Sequence, residues 1–246
     1  MGDQIWVQPT LKLVTSGALQ TLLIALVAAA LSIGLGLVLG MLLCLPNGRW
    51  TNPVRWILTA YLQLFRGLPV LVTLFIVFFV SPSIGLRFAS TLAAIVGLTL
   101  WGSANVMEVV RGAVRSIPTA QFEAVTALGF GWAPSMRLVI LPQAQRRMIP
   151  PIVNLTVDLI QATTLASLIG VVEVLQRSRQ AVEFFQLSEG DGHAAPIFAG
   201  VLLFFFVICF PLTLLASYVD RRRKSDPRPP KRKTSDKVVE SQTTAV

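Results

Sequence analysis

Six polar residues interrupt stretches of sequence that are otherwise apolar, and they are the first candidates for chemistry. They are Arg66, Glu108, Asp158, Gln161, Thr163 and Thr164. A guanidinium such as that of Arg66 can hold a carboxylate through two hydrogen bonds, and a carboxylate such as that of Glu108 can accept from an ammonium. The two side chains can therefore hold the two ends of a zwitterion, or they can pair with each other.

The other four residues lie close together in the sequence. Asp158 and Gln161 are spaced to share one face of a helix, and the hydroxyls of Thr163 and Thr164 can bond back to their own helix or point into a cavity. Polar groups within apolar spans face protein or water rather than lipid. We therefore expect these residues either to line a pathway or to form a polar contact inside the protein.

The composition identifies a membrane protein. The chain has 246 residues, of which 54% are apolar and 13% charged, whereas about a quarter of the residues in soluble domains are charged. A net charge of +9 fits a nucleic-acid binder or a membrane protein, and the apolar content decides for the membrane. Cys44 and Cys209 lie in apolar runs, and His193 is the single histidine. We therefore expect no metal site and no nucleic-acid partner.

Five apolar stretches are long enough, or nearly so, to cross a bilayer as helices, which takes about 20 residues. They cover roughly residues 17–45, 64–80, 90–110, 148–172 and 194–219. This pattern predicts an all-α membrane protein with an N-terminal extracytoplasmic segment (1–16), a transmembrane domain (17–219) and a basic, disordered tail (220–246). We expect the first stretch to be retained, because it lacks the short apolar core and small-residue exit of a cleaved signal.

Lysine and arginine positions orient the spans. If the C-terminus is cytoplasmic, the inside segments hold 16 of these residues and the outside segments 4, with Arg66 near the second span. Cytoplasmic loops carry an excess of positive charge. We therefore expect the N-terminus outside and the C-terminus in the cytoplasm, where the basic run Arg221–Lys224 anchors the topology or, alternatively, contacts anionic membrane lipid.

Small residues on the first span indicate a close helix contact. Gly36 and Gly40 have the spacing that lets two helices approach closely. The pattern is common in membrane helices, and it serves packing within one subunit as readily as packing between two.

The connection between the third and fourth spans is long and has its own helical pattern. Pro118 suits a first helical turn and Gly129 the residue after the last turn, which predicts a helix over residues 118–128. Its apolar stripe consists of Phe122, Val125 and Leu128. The helix lacks the lysines and arginines of helices that lie on anionic lipid, so the pattern favours docking into the groove of a soluble partner.

A second piece follows that helix. We expect it to run from Trp132 to Leu141 and to end at Pro142, where the chain returns to the membrane. A helix usually stops at or before the residue that precedes a proline.

The long connection carries a motif of a known family. The run Glu123-Ala124-Val125-x-x-x-Gly129, followed by Val139-x-Leu141-Pro142, resembles the EAA loop of permease subunits of ATP-binding-cassette (ABC) importers, with Val125 and Val139 in place of the usual Ala and Ile. Further motifs extend the resemblance to the polar amino-acid branch (histidine, glutamine, arginine and opine types) over about residues 17–174. They are Phe65-Arg66-Gly67-x-Pro69, Glu108-x-x-Arg111-Gly112, Ile117-Pro118-x-x-Gln121, Leu141-Pro142-Gln143-Ala144 and Thr163-Thr164-Leu165-x-Ser167-x-Ile169-Gly170.

The resemblance implies a type I importer permease with partners. It implies a second permease, identical or homologous, two ATPase subunits that bind ATP and magnesium and receive the coupling loops (about 116–142), and an extracytoplasmic binding protein that delivers a polar amino acid across the bacterial inner membrane. The coupling residues carried over from the motif are Gln121, Glu123, Ala124, Ala127, Gly129, Leu141 and Pro142. No lysine of the chain follows a glycine, so a phosphate-binding P-loop is absent from the sequence. We expect no cofactor on this chain and no catalysis by it.

For an amino-acid pathway, Arg66 and Glu108 would meet the carboxylate and the ammonium common to all substrates, and a salt bridge between them is the alternative. Many relatives carry Lys-Asp or Lys-Asn before the Thr/Ser pair, where this sequence has Gln161-Ala162. The departure argues against a site specific for a basic side chain, unless Asp158 replaces the missing acid. A gated ion channel or passive pore is the alternative function, but it would not need the EAA-like loop.

Overall fold

The computed structural model describes residues 7–46, 48–49, 51–190 and 192–224. Within these ranges every regular element is helical. Four helical stretches are long and apolar enough to cross a membrane, and a bent pair of helices brings the number to as many as five. The predicted all-α membrane architecture is therefore confirmed.

The first helix, α1, runs from Val7 to Leu43 and so begins well before the expected boundary at Gly17. The hydroxyls of Thr15 and Ser16 donate to the carbonyls of Lys12 and Leu13 at 3.0 and 2.7 Å, within this helix. Helix α1 thus includes part of the segment predicted to be extracytoplasmic (1–16), and the place of that segment outside the membrane stays a prediction. Residues 1–6 lie outside the described residues.

The expected second span is broken. Helix α2 (Thr51–Gly67) is followed by α3 (Val70–Phe75), a π-helical turn (Ile76–Val80) and a 3-10 turn (Ser81–Ile84). The helix direction bends by 109° between the two halves. Pro69 precedes α3 with φ −56° and ψ 140°, and a proline disfavours helical geometry in the residue before it. The prediction of one continuous helix over residues 64–80 is therefore wrong.

Helix α4 (Ser90–Arg115) forms the centre of the bundle and packs along α1. A Cβ added to Gly36 would lie 2.5 Å from Cβ of Val106, and one added to Gly40 would lie 2.6 Å from Cβ of Val110. The GxxxG pair therefore serves packing within one chain. Gly34, by contrast, has no such neighbour within 4 Å.

The connection after α4 contains α5 (Thr119–Ala127) and α6 (Trp132–Ser135). A π-helical turn (Met136–Ile140) then joins α6 to α7 (Leu141–Ala162), and a 3-10 segment (Thr163–Ile169) completes this crossing. The expected stop at Pro142 is wrong. The proline lies in the first turn of α7, directly after the π turn, where the change of hydrogen-bond register accommodates its missing N–H.

The last two helices are α8 (Val174–Glu189) and α9 (Ala194–Lys224). Helix α8 lies against the beginning of α1, where a Cβ on Gly17 would come within 2.8 Å of Cα of Val174. Helix α9 continues through Asp220, so the disorder expected from residue 220 does not begin there. The remainder of the predicted tail, residues 225–246, lies outside the described residues.

Candidate functional site

The structure brings Arg66 and Glu108 together and adds a third residue, Arg111. Arg111 donates from Nε to Oε2 of Glu108 at 2.8 Å and from Nη2 to Oε1 at 2.5 Å. Nη1 of Arg66 lies 3.5 Å from Oε2 of the same carboxylate. The side chain of Arg66 is 41% exposed, against 23% for Glu108 and 29% for Arg111. The salt-bridge alternative is thus the arrangement present in this structure.

Helices α2 and α4 position this ion cluster. Arg66 occupies the last turn of α2, next to the break at Gly67. Earlier on α2, the Tyr61 hydroxyl lies 2.6 Å from Oγ of Ser103 on α4 and donates to the carbonyl of Leu100 at 2.9 Å. This partly buried polar contact joins α2 to α4, the two helices that carry Arg66 and Glu108.

Asp158 and Gln161 lie on α7 and are exposed on the isolated chain. Among the described residues, Asp158 has no hydrogen-bond or ion-pair partner in the protein, whereas the Gln161 side chain interacts with the Cys209 thiol of α9. An acid left without a partner on a membrane-spanning helix is expected to face a partner subunit or water.

The two threonines bond to their own helix. Oγ1 of Thr163 donates to the carbonyl of Ile160 at 2.7 Å, and Oγ1 of Thr164 donates to the carbonyl of Gln161 at 2.7 Å. Thr163 is fully buried. Within the described part of the chain, no hydrogen bond or ion pair joins the α7 residues to the Arg66–Glu108 pair. The six predicted residues therefore fall into two groups.

The predicted coupling helix is present as α5. Pro118 precedes it, and Gly129 follows it with φ +78°, a left-handed conformation that favours glycine. Of the predicted apolar stripe, Val125 is buried and Phe122 half-buried within the chain. Leu128, the third residue of the predicted apolar stripe, is 73% exposed. It is the C-cap residue of the helix, directly before Gly129.

The outer face of α5 presents the residues of the motif. Gln121, Glu123, Ala124 and Ala127 are exposed there. A shallow groove between Phe122, Glu123, Thr126 and Ala127 opens on this face. Pro142 is exposed and Leu141 half-buried at the start of α7.

Hydrogen bonds brace the coupling loop at its base. Nη1 of Arg147 donates to the carbonyl and, at 2.8 Å, to the hydroxyl of Ser116. Nε2 of Gln143 donates to Oε1 of Gln121 at 3.3 Å. The loop is therefore tied to both α4 and α7, and it can transmit a displacement to them as a unit.

Glu173, which the sequence analysis did not single out, is fully buried at the start of α8. Its carboxylate accepts from the backbone N–H groups of Leu175 and Gln176 at 2.9 and 2.8 Å, as a helix N-cap. Burial raises the pKa of Glu173 above its ordinary value of 4.5, although these two hydrogen bonds act in the opposite direction. The sequence signal that could have identified Glu173 is its place between the apolar fourth stretch and the polar segment that forms α8.

A family profile described as "binding-protein-dependent transport system inner membrane component" matches residues 32–225. The chain belongs to this family. Within the described residues, no group of three or more His, Cys, Asp or Glu could hold a metal ion.

Similar permeases come from Bacillus subtilis (strain 168). A probable amino-acid ABC transporter permease is 38% identical over 68% of this chain and 72% of its own length. A probable glutamine ABC transporter permease is 33% identical over 88% and 96%, and an arginine transport system permease is 32% identical over 89% and 95%. The chain is thus an amino-acid ABC transporter permease, and these findings give no support to a channel or pore.

Solved structures share the fold of this permease. An amino-acid ABC transporter crystallised with histidines superposes with a TM-score of 0.76 at 23% identity, covering 90% of this chain and 99% of the other. A methionine ABC transporter in an inward-facing conformation gives a TM-score of 0.68 at 22% identity over 87% and 97%. The all-helical fold of this chain is therefore the fold of these ABC transporter structures.

Proposed function

We propose that this permease imports a polar amino acid, or a close derivative such as an opine, across the bacterial inner membrane. The observation that carries the proposal is the exposed, braced helix α5 on a chain related to amino-acid permeases. A passive pore would not need such a helix. The work comes from ATP hydrolysis in partner subunits, with the N-terminus outside and the C-terminus in the cytoplasm.

The partners follow from the same proposal. Two ATPase subunits seat the coupling loops, a second permease completes the pathway, and an extracytoplasmic binding protein delivers the substrate. Glu123 and the exposed Leu128 form the contact with the ATPase, and Arg147 holds the loop so that movement of the ATPase reaches α4 and α7. Alternating access then reorients the two permeases around a site between them.

The substrate contacts are proposed from the unequal bonds of the ion cluster. Arg111 holds Glu108 through two hydrogen bonds, whereas Arg66 approaches it at 3.5 Å and is more exposed. A substrate carboxylate can therefore take the place of Glu108 at Arg66, while Glu108 accepts from the substrate ammonium. Asp158 offers a second acceptor, and Gln161, Thr163 and Thr164 shape the adjoining wall of the pathway.

Co-purification and ATPase assays test this function. The permease is expressed with a candidate ATPase from the same organism, purified through a tag on the permease alone and assayed with a binding protein. We expect the ATPase to co-purify and its activity to rise when the binding protein is loaded with its amino acid. The proposal would be contradicted if the permease purified without any ATPase, or if the rate of ATP hydrolysis did not change when the loaded binding protein was added.

A further inference from the structure

Asn105 lies on α4 beside the ion cluster and takes no part in its ion pairs. It shares one face of the helix with Trp101 and Glu108, because the three residues recur at intervals of four and three. All three are half-buried, whereas every other residue between Trp101 and Glu108 is buried. Asn105 is therefore open on the same side of α4 as the carboxylate to which the substrate ammonium is assigned.

The amide of Asn105 is held in one orientation. Its Nδ2 donates to the carbonyl of Trp101 at 2.9 Å. A carbonyl accepts and does not donate, so the amide nitrogen faces it and Oδ1 lies on the other side. This side chain makes no second hydrogen bond in the described part of the chain. One N–H and the acceptor oxygen therefore remain for a ligand.

These two polar groups are not suited to lipid. Helix α4 is long and apolar enough to cross a membrane, and a polar side chain on such a helix faces protein or water. Residues three apart on a helix have Cβ atoms about 5–6 Å from each other. A substrate whose ammonium is held by Glu108 would therefore have its side chain within reach of Asn105.

We propose that Asn105 binds the side chain of the substrate, and that this side chain carries a carboxamide. The inference rests on the proposed function, in which Arg66 and Glu108 hold the main-chain ends of the amino acid. A carboxamide offers a carbonyl to the free N–H and an N–H to Oδ1. Two hydrogen bonds can thus form side by side between the two amides.

The other polar side chains fit this position less well. Arg66 and Arg111 share a single carboxylate, that of Glu108, so the ion cluster has an excess positive charge that repels a cationic side chain. A carboxylate side chain is attracted by that charge, but it places an acceptor against Oδ1 of Asn105. A site built to pair with both groups of an amide discriminates against an analogue that leaves one of them unpaired.

Equilibrium dialysis of labelled amino acids tests the proposal on the purified permease–ATPase complex. The binding protein is omitted, so that its own preference does not enter the measurement. The probes are L-glutamine, L-glutamate, L-arginine and L-alanine, and we expect L-glutamine to bind most tightly. In Asn105→Ala its affinity should fall roughly tenfold, because two neutral hydrogen bonds are lost, whereas the affinity for L-alanine should stay unchanged.

Two further variants sharpen the test. Asn105→Asp keeps the shape of the side chain and adds a negative charge, so it should weaken L-glutamine binding and strengthen L-arginine binding. The matched control is Asn154→Ala, which removes the amide of an exposed asparagine on α7 and should leave both affinities at their wild-type values. If Asn105→Ala fails to assemble, Asn105→Asp decides the question.

The outcomes separate this inference from the proposed function. If the wild type binds none of the four amino acids, the main-chain site at Arg66 and Glu108 is contradicted, and the role of Asn105 is contradicted with it. If L-alanine, L-glutamate or L-arginine binds as tightly as L-glutamine, the main-chain site stands and the role of Asn105 is overturned. Equal losses of L-glutamine and L-alanine binding in Asn105→Ala would also overturn it, in favour of a packing role.

Discussion

Glu108 shares its carboxylate between two arginines of unequal reach. Arg111 binds it from one turn away on α4, and Arg66 approaches it from α2. From complementary charge, the sequence left open whether Arg66 and Glu108 pair with each other or meet the substrate. The closer bond to Arg111 was not predicted, although three-residue spacing on a helix favours such pairs.

Replacing Glu108 tests the candidate pathway. Glu108→Gln removes the charge that both arginines share, and we expect uptake to fall about tenfold or more, since a hydrogen bond to a charged group contributes about 1.5–3 kcal/mol. Uptake and membrane abundance are measured separately, with Glu183→Gln, an exposed residue of α8, as the control. Unchanged uptake at normal abundance would remove Glu108 from the pathway.

Glu173 gives a pH dependence of stability. Because burial raises the pKa of Glu173 above 4.5, the folded state binds this proton more tightly than the unfolded state does. The stabilisation is fully present below pH 4.5 and is lost as the pH rises through the raised pKa.

Thermal unfolding from pH 4 to 8 checks this expectation. The wild type should lose stability with rising pH more steeply than Glu173→Gln, whose side chain stays neutral. Glu183→Gln serves as the exposed control and should keep the slope of the wild type. Parallel curves for the wild type and Glu173→Gln would show that this carboxyl is not the source of the dependence.

At the scale of elements, apolar runs predicted the existence of the crossings but not their ends or breaks. α1 begins in polar sequence, the second span breaks at Pro69, and the chain passes Pro142 without stopping. Both prolines are typical of helix ends, but Pro69 has an extended ψ of 140°, whereas Pro142 follows a π turn and lies within the first turn of α7. Such a turn depends on packing between helices, which one sequence does not reveal.

The contact of α1 with α4 predicts that alanine substitutions at Gly36 and Gly34 change the stability of the fold by different amounts. Gly36→Ala adds a Cβ that meets Val106 at 2.5 Å and should destabilise the fold by about 1–3 kcal/mol. Gly34→Ala has open space and should leave stability unchanged or raise it slightly. Thermal unfolding in detergent measures both variants, and equal effects would place the α1–α4 contact elsewhere.

Because one face of α5 is exposed, we expect substitutions there to reduce transport without unfolding the permease. Glu123→Lys reverses a charge on the docking surface, so we expect ATPase binding or coupled uptake to fall at least tenfold while the permease itself stays folded. Pull-down of the ATPase and uptake measure the effect, and Glu183→Lys on α8 is the matched control. Normal coupled transport in Glu123→Lys would count against docking through α5.

On the scale of the whole molecule, the helices share one hydrophobic core between α1, α4 and α7, and the broken second span and the coupling loop pack against it. The family motifs in the sequence predicted this architecture, and the supply of energy by a separate ATPase stays a proposal. They could not predict that the six candidate residues divide between the α2–α4 pair and α7. That division leaves Asp158 without a partner in the described part of the chain, as a pathway completed by a second subunit would require.

Flux through the reconstituted complex tests the central claim most directly. The permease, its ATPase and its binding protein are placed in vesicles, and entry of labelled amino acid is followed with and without ATP. Entry should require ATP and the binding protein, and it should be lost in Glu123→Lys. Undiminished entry without nucleotide, or with the permease alone, would contradict the account.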